Sequence, residues 1–142
     1  MKNNQFDKIT EETNLSESSN EYDLICFSHL RWDFVYQRPQ HLLSRFAQTG
    51  RVFFIEEPLF DDGGEVRLET STRGDNLFVV VPHFQHGTDG NEIPGLLRKM
   101  LDDLIGDYEI KDFITWYYTP MMLEWSEHLK PLAVVFDSMD EL

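Results

Sequence analysis

Three things are scarce in this 142-residue chain: cysteine, positive charge and long apolar runs. Cys26 is the single cysteine, so no disulfide can form within the chain, and its place inside an apolar run marks it as a small buried hydrophobe. A reducing, cytoplasmic setting is the expectation that follows. Lys and Arg number 12 against 26 Asp and Glu, leaving a formal charge of −14. A surface that acidic repels nucleic-acid phosphates and anionic lipid, so neither DNA nor RNA is an expected partner, although a local basic cluster could still hold a small anion. No apolar stretch approaches the length needed to span a bilayer, and the N-terminus lacks the hydrophobic segment of a signal peptide. At most, peripheral membrane association stays open. Absent too are GxGxxG, a Walker loop, HExxH and CxxC, so no generic motif assigns a cofactor or a metal.

What is present is the composition of a folded domain, since 41% of the residues are hydrophobic and 13% aromatic, which outweighs the charge as a predictor of order. One domain is the expectation at this length. Residues 1–20 are polar and acidic with little aliphatic periodicity and read as a disordered leader, so folding is expected across 21–142. The run "DLICF" reads as a strand and "RPQHLLSRFAQTG" as a helix, with Pro39 in its first turn and Gly50 just past its end. A second strand, "RVFFIEEP", follows. Strand, helix and strand within so short a span form a βαβ unit, and continuous apolar strands suit a parallel sheet covered on both faces.

Further on, "EVRLETST" alternates and "NLFVVVP" does not, with "RGDN" as the turn of an inserted β-hairpin. Ile93 to Ile105 carries apolar residues at helical spacing. "DFITWYY" reads as a strand, "PMMLEWSEHLK" as a helix and "LAVVF" as a last strand. The expected fold is therefore α/β: a Rossmann-like, doubly wound, mainly parallel sheet with an inserted hairpin. Ending directly after a strand, the chain reads as the N-terminal piece of something longer, with an open sheet edge that invites self-association.

In such sheets ligands bind beyond the carboxyl ends of the strands. The residues that fall there are Ser28, His29, Arg31 and Trp32 after the first strand, and Glu56 and Glu57 after the second. His83 and Thr119 follow later strands, and Asp137, Ser138, Asp140 and Glu141 the last. On the first helix Arg38, His41 and Arg45 share a side, with Leu42, Leu43, Phe46 and Ala47 left to face the sheet. Gln37 and Arg38 occupy a helix start, where unpaired N–H groups favour an anion such as phosphate. Each has a plainer alternative. The arginines can pair with surface carboxylates, Trp32 and Tyr36 can pack rather than stack on a sugar, and Asp137 or Asp140 can cap backbone rather than act as acid or base. His83 and His86 have a spacing metals tolerate but no further ligand nearby, so no metal site is expected.

The stretch "DLICFSHLRWDFVYQRPQHLLSRFA", with "VFFIEEP", "WYYTPMM" and "VVFDSMDEL", resembles the N-terminal part of bacterial glycosyltransferases of the GT-B fold, related to the large retaining family 4. The same kind of segment is similar to one found in chains assigned as UDP-galactopyranose mutase. The "W…QRPQHL…A" signature carries the resemblance across nearly all of the chain after residue 20. It implies a two-domain enzyme whose N-terminal half meets a sugar or lipid-linked acceptor while its C-terminal half holds the nucleotide-sugar donor. The nucleotide sugar is then a co-substrate, with no resident cofactor. By resemblance, His29, Arg31, Trp32, Gln37, Arg38, His41, Glu56 and Glu57 face the interdomain cleft, and Asp137 and Asp140 are the catalytic candidates. The first loop lacks the glycines such enzymes often place near the diphosphate, so side-chain contacts would have to replace backbone ones. The implied activity is glycosyl transfer in cell-surface or exopolysaccharide assembly, incomplete without the second domain. The alternative is a non-catalytic Rossmann-like module that docks onto another chain.

Overall fold

The computed structural model describes residues 22–34, 38–62 and 64–137. The expected leader, Gln37, Tyr36, Asp140 and the side chain of Arg38 lie outside them. Strand β1 (Asp23–Phe27) is buried from end to end. A strand covered on both faces has no polar side to present, which is why "LICF" does not alternate. It pairs in parallel with β2 (Val52–Ile55) along one edge and with β6 (Phe113–Tyr117) along the other, so that Ile25 stands level with both Phe53 and Thr115. Outside β6 lies β7 (Ala133–Phe136), also parallel.

The other half of the sheet is organised by the long β5 (Leu77–Gln85). Its first residues pair with β2, Leu77 opposite Val52, and its last with the three-residue β3 (Leu59–Asp61), Leu59 opposite His83. Strand β4 (Arg67–Thr72) runs antiparallel, with Thr70 opposite Val80 and Arg67 opposite His83. Since Val80 meets Ile55 as well as Thr70, β2 and β3 succeed one another on one edge of β5 while β4 takes the other. The pairing register slips by one residue across Glu56–Pro58, a local kink of the β-bulge kind. The expected hairpin is thus present as β4–β5, turning through Gly74 (φ 94°) and Asn76 (φ 64°), residues suited to left-handed backbone. Strand β3 was not expected: its residues are few, half-exposed and without alternation.

Helix α1 (Arg38–Phe46) covers one face, where Leu43 and Ala47 pack with Leu24, Cys26, Val52 and Phe54. Leu42, expected to face the sheet, is instead 37% exposed, because the contact stripe of so short a helix is only one residue wide at that turn. Gly50 lets the chain re-enter the sheet: a Cβ there would stand 2.9 Å from the carbonyl of Tyr22. Helix α2 (Ile93–Asp107) covers the opposite face, with Leu97, Leu101 and Leu104 against Ile25, Phe53, Ile55 and Phe84. The segment "PMMLEWSEHLK" forms a 3-10 helix (Pro120–Trp125) rather than the expected α-helix. Thr119 caps it, accepting from the Met121 N–H, and the Ser126 hydroxyl donates to the Met122 carbonyl at 2.7 Å, which ends it after two turns. Taken together these elements give the expected α/β, Rossmann-like sheet. Among the described residues no helix is long and apolar enough to cross a membrane.

At the amino ends of the strands, Arg51 grips the buried Asp23 with two hydrogen bonds of 3.0 and 2.7 Å and donates a third to the Tyr108 carbonyl. That clamp ties β1 to the turn after α2 at the end of the sheet remote from the strand carboxyl termini.

Candidate functional site

The chain leaves β1 in one direction to build β2 and β5, then returns to lay β6 on the other side of β1. Loops after β1 and β6 therefore diverge above the sheet, and a crevice opens between them at the strand carboxyl ends. An open groove of about 440 Å³ occupies that crevice. His29 and Glu57 line it from the β1 and β2 side; Tyr118, Thr119 and Met121 line it after β6, and Phe136 and Asp137 at the end of β7. Buried Tyr117 forms its floor, with Phe136 stacked on it at 5.2 Å between ring centres and 58% exposed above.

The tyrosine is fixed by a directed relay. The Ser126 hydroxyl spends its proton on the Met122 carbonyl, so the Tyr117 hydroxyl must be the donor in the 2.7 Å contact with Ser126. Burial pushes the Tyr117 phenol above its ordinary range. It is a neutral platform rather than a titrating group. Beneath the groove, burial pushes the Cys26 thiol well up, and the negative charge of Asp137 pushes it further, so the thiol is held in its unreactive form.

The crowded first loop has a different character. The Glu56 carboxylate, only 5% exposed, accepts from Arg31 Nη1 at 3.1 Å through one oxygen and from the Trp32 backbone N–H at 2.7 Å through the other. Arg31 Nη1 also donates to the Glu57 carbonyl at 2.7 Å, and the Gln40 amide donates to the Trp32 carbonyl at 2.7 Å. The Trp32 ring packs edge-on against Phe54 at 5.1 Å. Further out, Arg73 holds Asp33 through bonds of 3.0 and 2.9 Å, which keeps the Asp33 carboxyl below its usual range. The residues of this loop that look most like ligand chemistry thus bind one another.

Of the sequence-derived site residues, the structure gathers His29, Glu57, Thr119 and Asp137 around the groove. Arg31, Trp32 and Glu56 form its supporting wall. His41 is exposed on α1, apart from the groove lining. Reasoning from strand ends passed over Tyr117, Tyr118, Met121 and Phe136, whose apolar character reads as strand core. The signal that could have found them is position: each lies at or just beyond the carboxyl end of β6 or β7. Among the described residues that line the groove no Lys or Arg appears, and none of the described His, Cys, Asp and Glu assemble in threes around a metal position. No family model, no curated protein and no solved structure matches the chain.

Proposed function

We propose that this chain is the acceptor-side domain of a sugar-nucleotide-dependent glycosyltransferase, active in the cytoplasm in cell-surface or exopolysaccharide assembly. The observation that carries the reading is the lining of the switch-point groove: an exposed aromatic face, two carboxylates, an imidazole and a capping threonine, with no Lys or Arg among its described residues. Sugar rings lay their C–H faces on aromatic rings, and their hydroxyls donate to carboxylates. A diphosphate needs the opposite, cations and unpaired N–H groups. Arg31 is committed to Glu56 and Arg73 to Asp33, so among the described residues the arginines nearest the loop are already engaged. The groove accordingly suits a neutral, hydroxyl-rich acceptor, and the nucleotide-sugar donor would be held by residues beyond this lining. In that arrangement Asp137, which lines the groove, would accept a proton from an acceptor hydroxyl, and Phe136 would orient the ring beside it.

The test is a titration of the isotopically labelled chain with neutral mono- and disaccharides and, separately, with UDP and UDP-sugars, read by amide shifts. Neutral sugars should move His29, Thr119 and Asp137 while UDP leaves them in place. Tight UDP binding in the groove would overturn the assignment of sides. A groove that no saccharide perturbs would favour the second reading, a Rossmann-like module that docks onto another chain, which the half-exposed apolar residues Leu132, Val134 and Phe136 along β7 support.

A further inference from the structure

We propose that the free edge of β4 and the cleft beside it form a docking site for an extended peptide of another protein, one that alternates apolar with basic residues. Strand β4 pairs with β5 alone, and its other edge meets no strand among the described residues. In an antiparallel pair, successive residues turn their N–H and C=O alternately toward the partner strand and away from it. Two bonds fix the phase here. The Arg73 N–H donates to the Leu77 carbonyl at 2.9 Å, and the Val80 carbonyl, opposite Thr70, is turned to the Glu56 N–H on the β2 side. Arg67, Glu69 and Ser71 therefore face β5, while Leu68, Thr70 and Thr72 present their backbone groups outward. Arg73 Nη1 occupies the Thr72 carbonyl at 3.1 Å. Leu68 and Thr70 keep theirs open, about 7 Å apart, which is the repeat of an incoming strand.

The same two residues line a cleft of about 430 Å³ between β4 and α2, where Leu96, Met100 and Tyr108 give it further apolar surface. It shares no residue with the switch-point groove, so the proposal stands apart from the sugar reading. A backbone ladder beside a side-chain cleft is what strand addition needs: main-chain bonds supply affinity, and alternate side chains entering the cleft supply specificity. Charge selects the occupant. On the helix rim Lys99 is bonded to Asp103 at 3.1 Å, and on the strand rim Arg67 donates to the Glu65 carbonyl at 3.1 Å and stands 4.0 Å from Asp61. Asp107, one helical turn beyond Asp103, has neither an ion pair nor a hydrogen bond with any described residue. Its carboxylate is the unbalanced charge of the cleft, and a basic side chain on the peptide balances it. A second copy of this chain fits less well, because its formal charge of −14 would be brought against another −14.

The test titrates the full labelled chain by NMR with three short synthetic peptides, blocked at both ends: valine alternating with lysine, the same peptide N-methylated throughout, and valine alternating with glutamate. The lysine peptide should move the amides of Leu68 and Thr70. N-methylation keeps the charge but removes the ladder donors, and should weaken binding about tenfold; glutamate in place of lysine should weaken it about threefold. Thr70→Pro deletes an outward N–H without touching the bonds to β5, and should weaken the lysine peptide about threefold with the hairpin kept. Should that variant not fold, Asp107→Lys, at an exposed helix end that accommodates a cation, should weaken the lysine peptide by a similar factor and strengthen the glutamate peptide. The proposal is overturned if the lysine peptide leaves Leu68 and Thr70 unmoved or if the N-methylated peptide binds equally well. It is also overturned if the same amides move with protein concentration alone, which would assign the edge to a second copy.

Discussion

The two walls of the groove are built from opposite kinds of residue. On the β1–β2 side, charged and aromatic side chains turn inward on each other: Glu56 on Arg31 and the Trp32 amide, Trp32 on Phe54. On the β6–β7 side, Phe136 and Met121 stand 58% and 74% exposed beside Asp137, with their backbone held by the capped 3-10 helix and the Tyr117–Ser126 relay. One wall is mainly a frame that presents His29 and Glu57, and the other offers the aromatic contact surface. The difference shows why exposure, rather than residue type, separates support from binding: an arginine in the frame contributes order, while a phenylalanine at a sheet edge is open to a ligand.

The comparison breaks most visibly at Trp32. Trp32→Ala empties a buried site and should lower unfolding free energy by about 3–5 kcal/mol in urea melts, a large share of the roughly 5–15 kcal/mol a domain possesses. A loss under about 1 kcal/mol would move Trp32 from frame to contact surface. Next comes Glu56→Ala, which strands the Trp32 N–H and the Arg31 guanidinium and should cost about 1–3 kcal/mol; Glu56→Gln, which keeps one acceptor, should recover part of it. Across the groove, Phe136→Ala should leave stability within about 0.5 kcal/mol while weakening neutral-sugar binding about three- to tenfold by calorimetry. Unchanged affinity would remove Phe136 from the site. The smallest effect is at the rim, where a double-mutant cycle on Asp33 and Arg73 should give less than about 1 kcal/mol of coupling, reduced further by salt. Because Arg73 lowers the Asp33 carboxyl below its unfolded value of about 3.9, that coupling is present above pH 4 and is lost as pH falls through the lowered value.

What could be read from the residues follows the same division. Strands β1, β2 and β6 and helix α2 announce themselves because continuous apolar runs and helical spacing are the direct imprint of burial. The hairpin does so through the alternation of "EVRLETST". Strand β3 carries no such imprint, for it is held by His83, Phe84 and backbone pairing supplied by β5, none of which shows in "EEPLF". The 3-10 helix reads in the sequence as a longer α-helix because Met121, Met122, Leu123 and Trp125 mimic a helical stripe, while the hydrogen bond that ends it comes from Ser126, a residue with no pattern of its own. At the site, the strand-end rule located His29, Glu57, Thr119 and Asp137. It could not separate Arg31 and Glu56 from them, since an ion pair 25 residues apart in the chain leaves no local signal.

The position of β1 bears on how the molecule is made. Among the described strands the central β1 is the first to be synthesised, and its second neighbour, β6, pairs Phe113 with Asp23. At the roughly 5–20 residues per second of translation, β1 waits on the order of five to twenty seconds for that neighbour, with β2 alone alongside. During that interval one edge of a strand buried along its whole length in the finished fold stands open on the nascent chain, so slowing synthesis between α2 and β6 should increase its capture by chaperones more than slowing it anywhere after Tyr117.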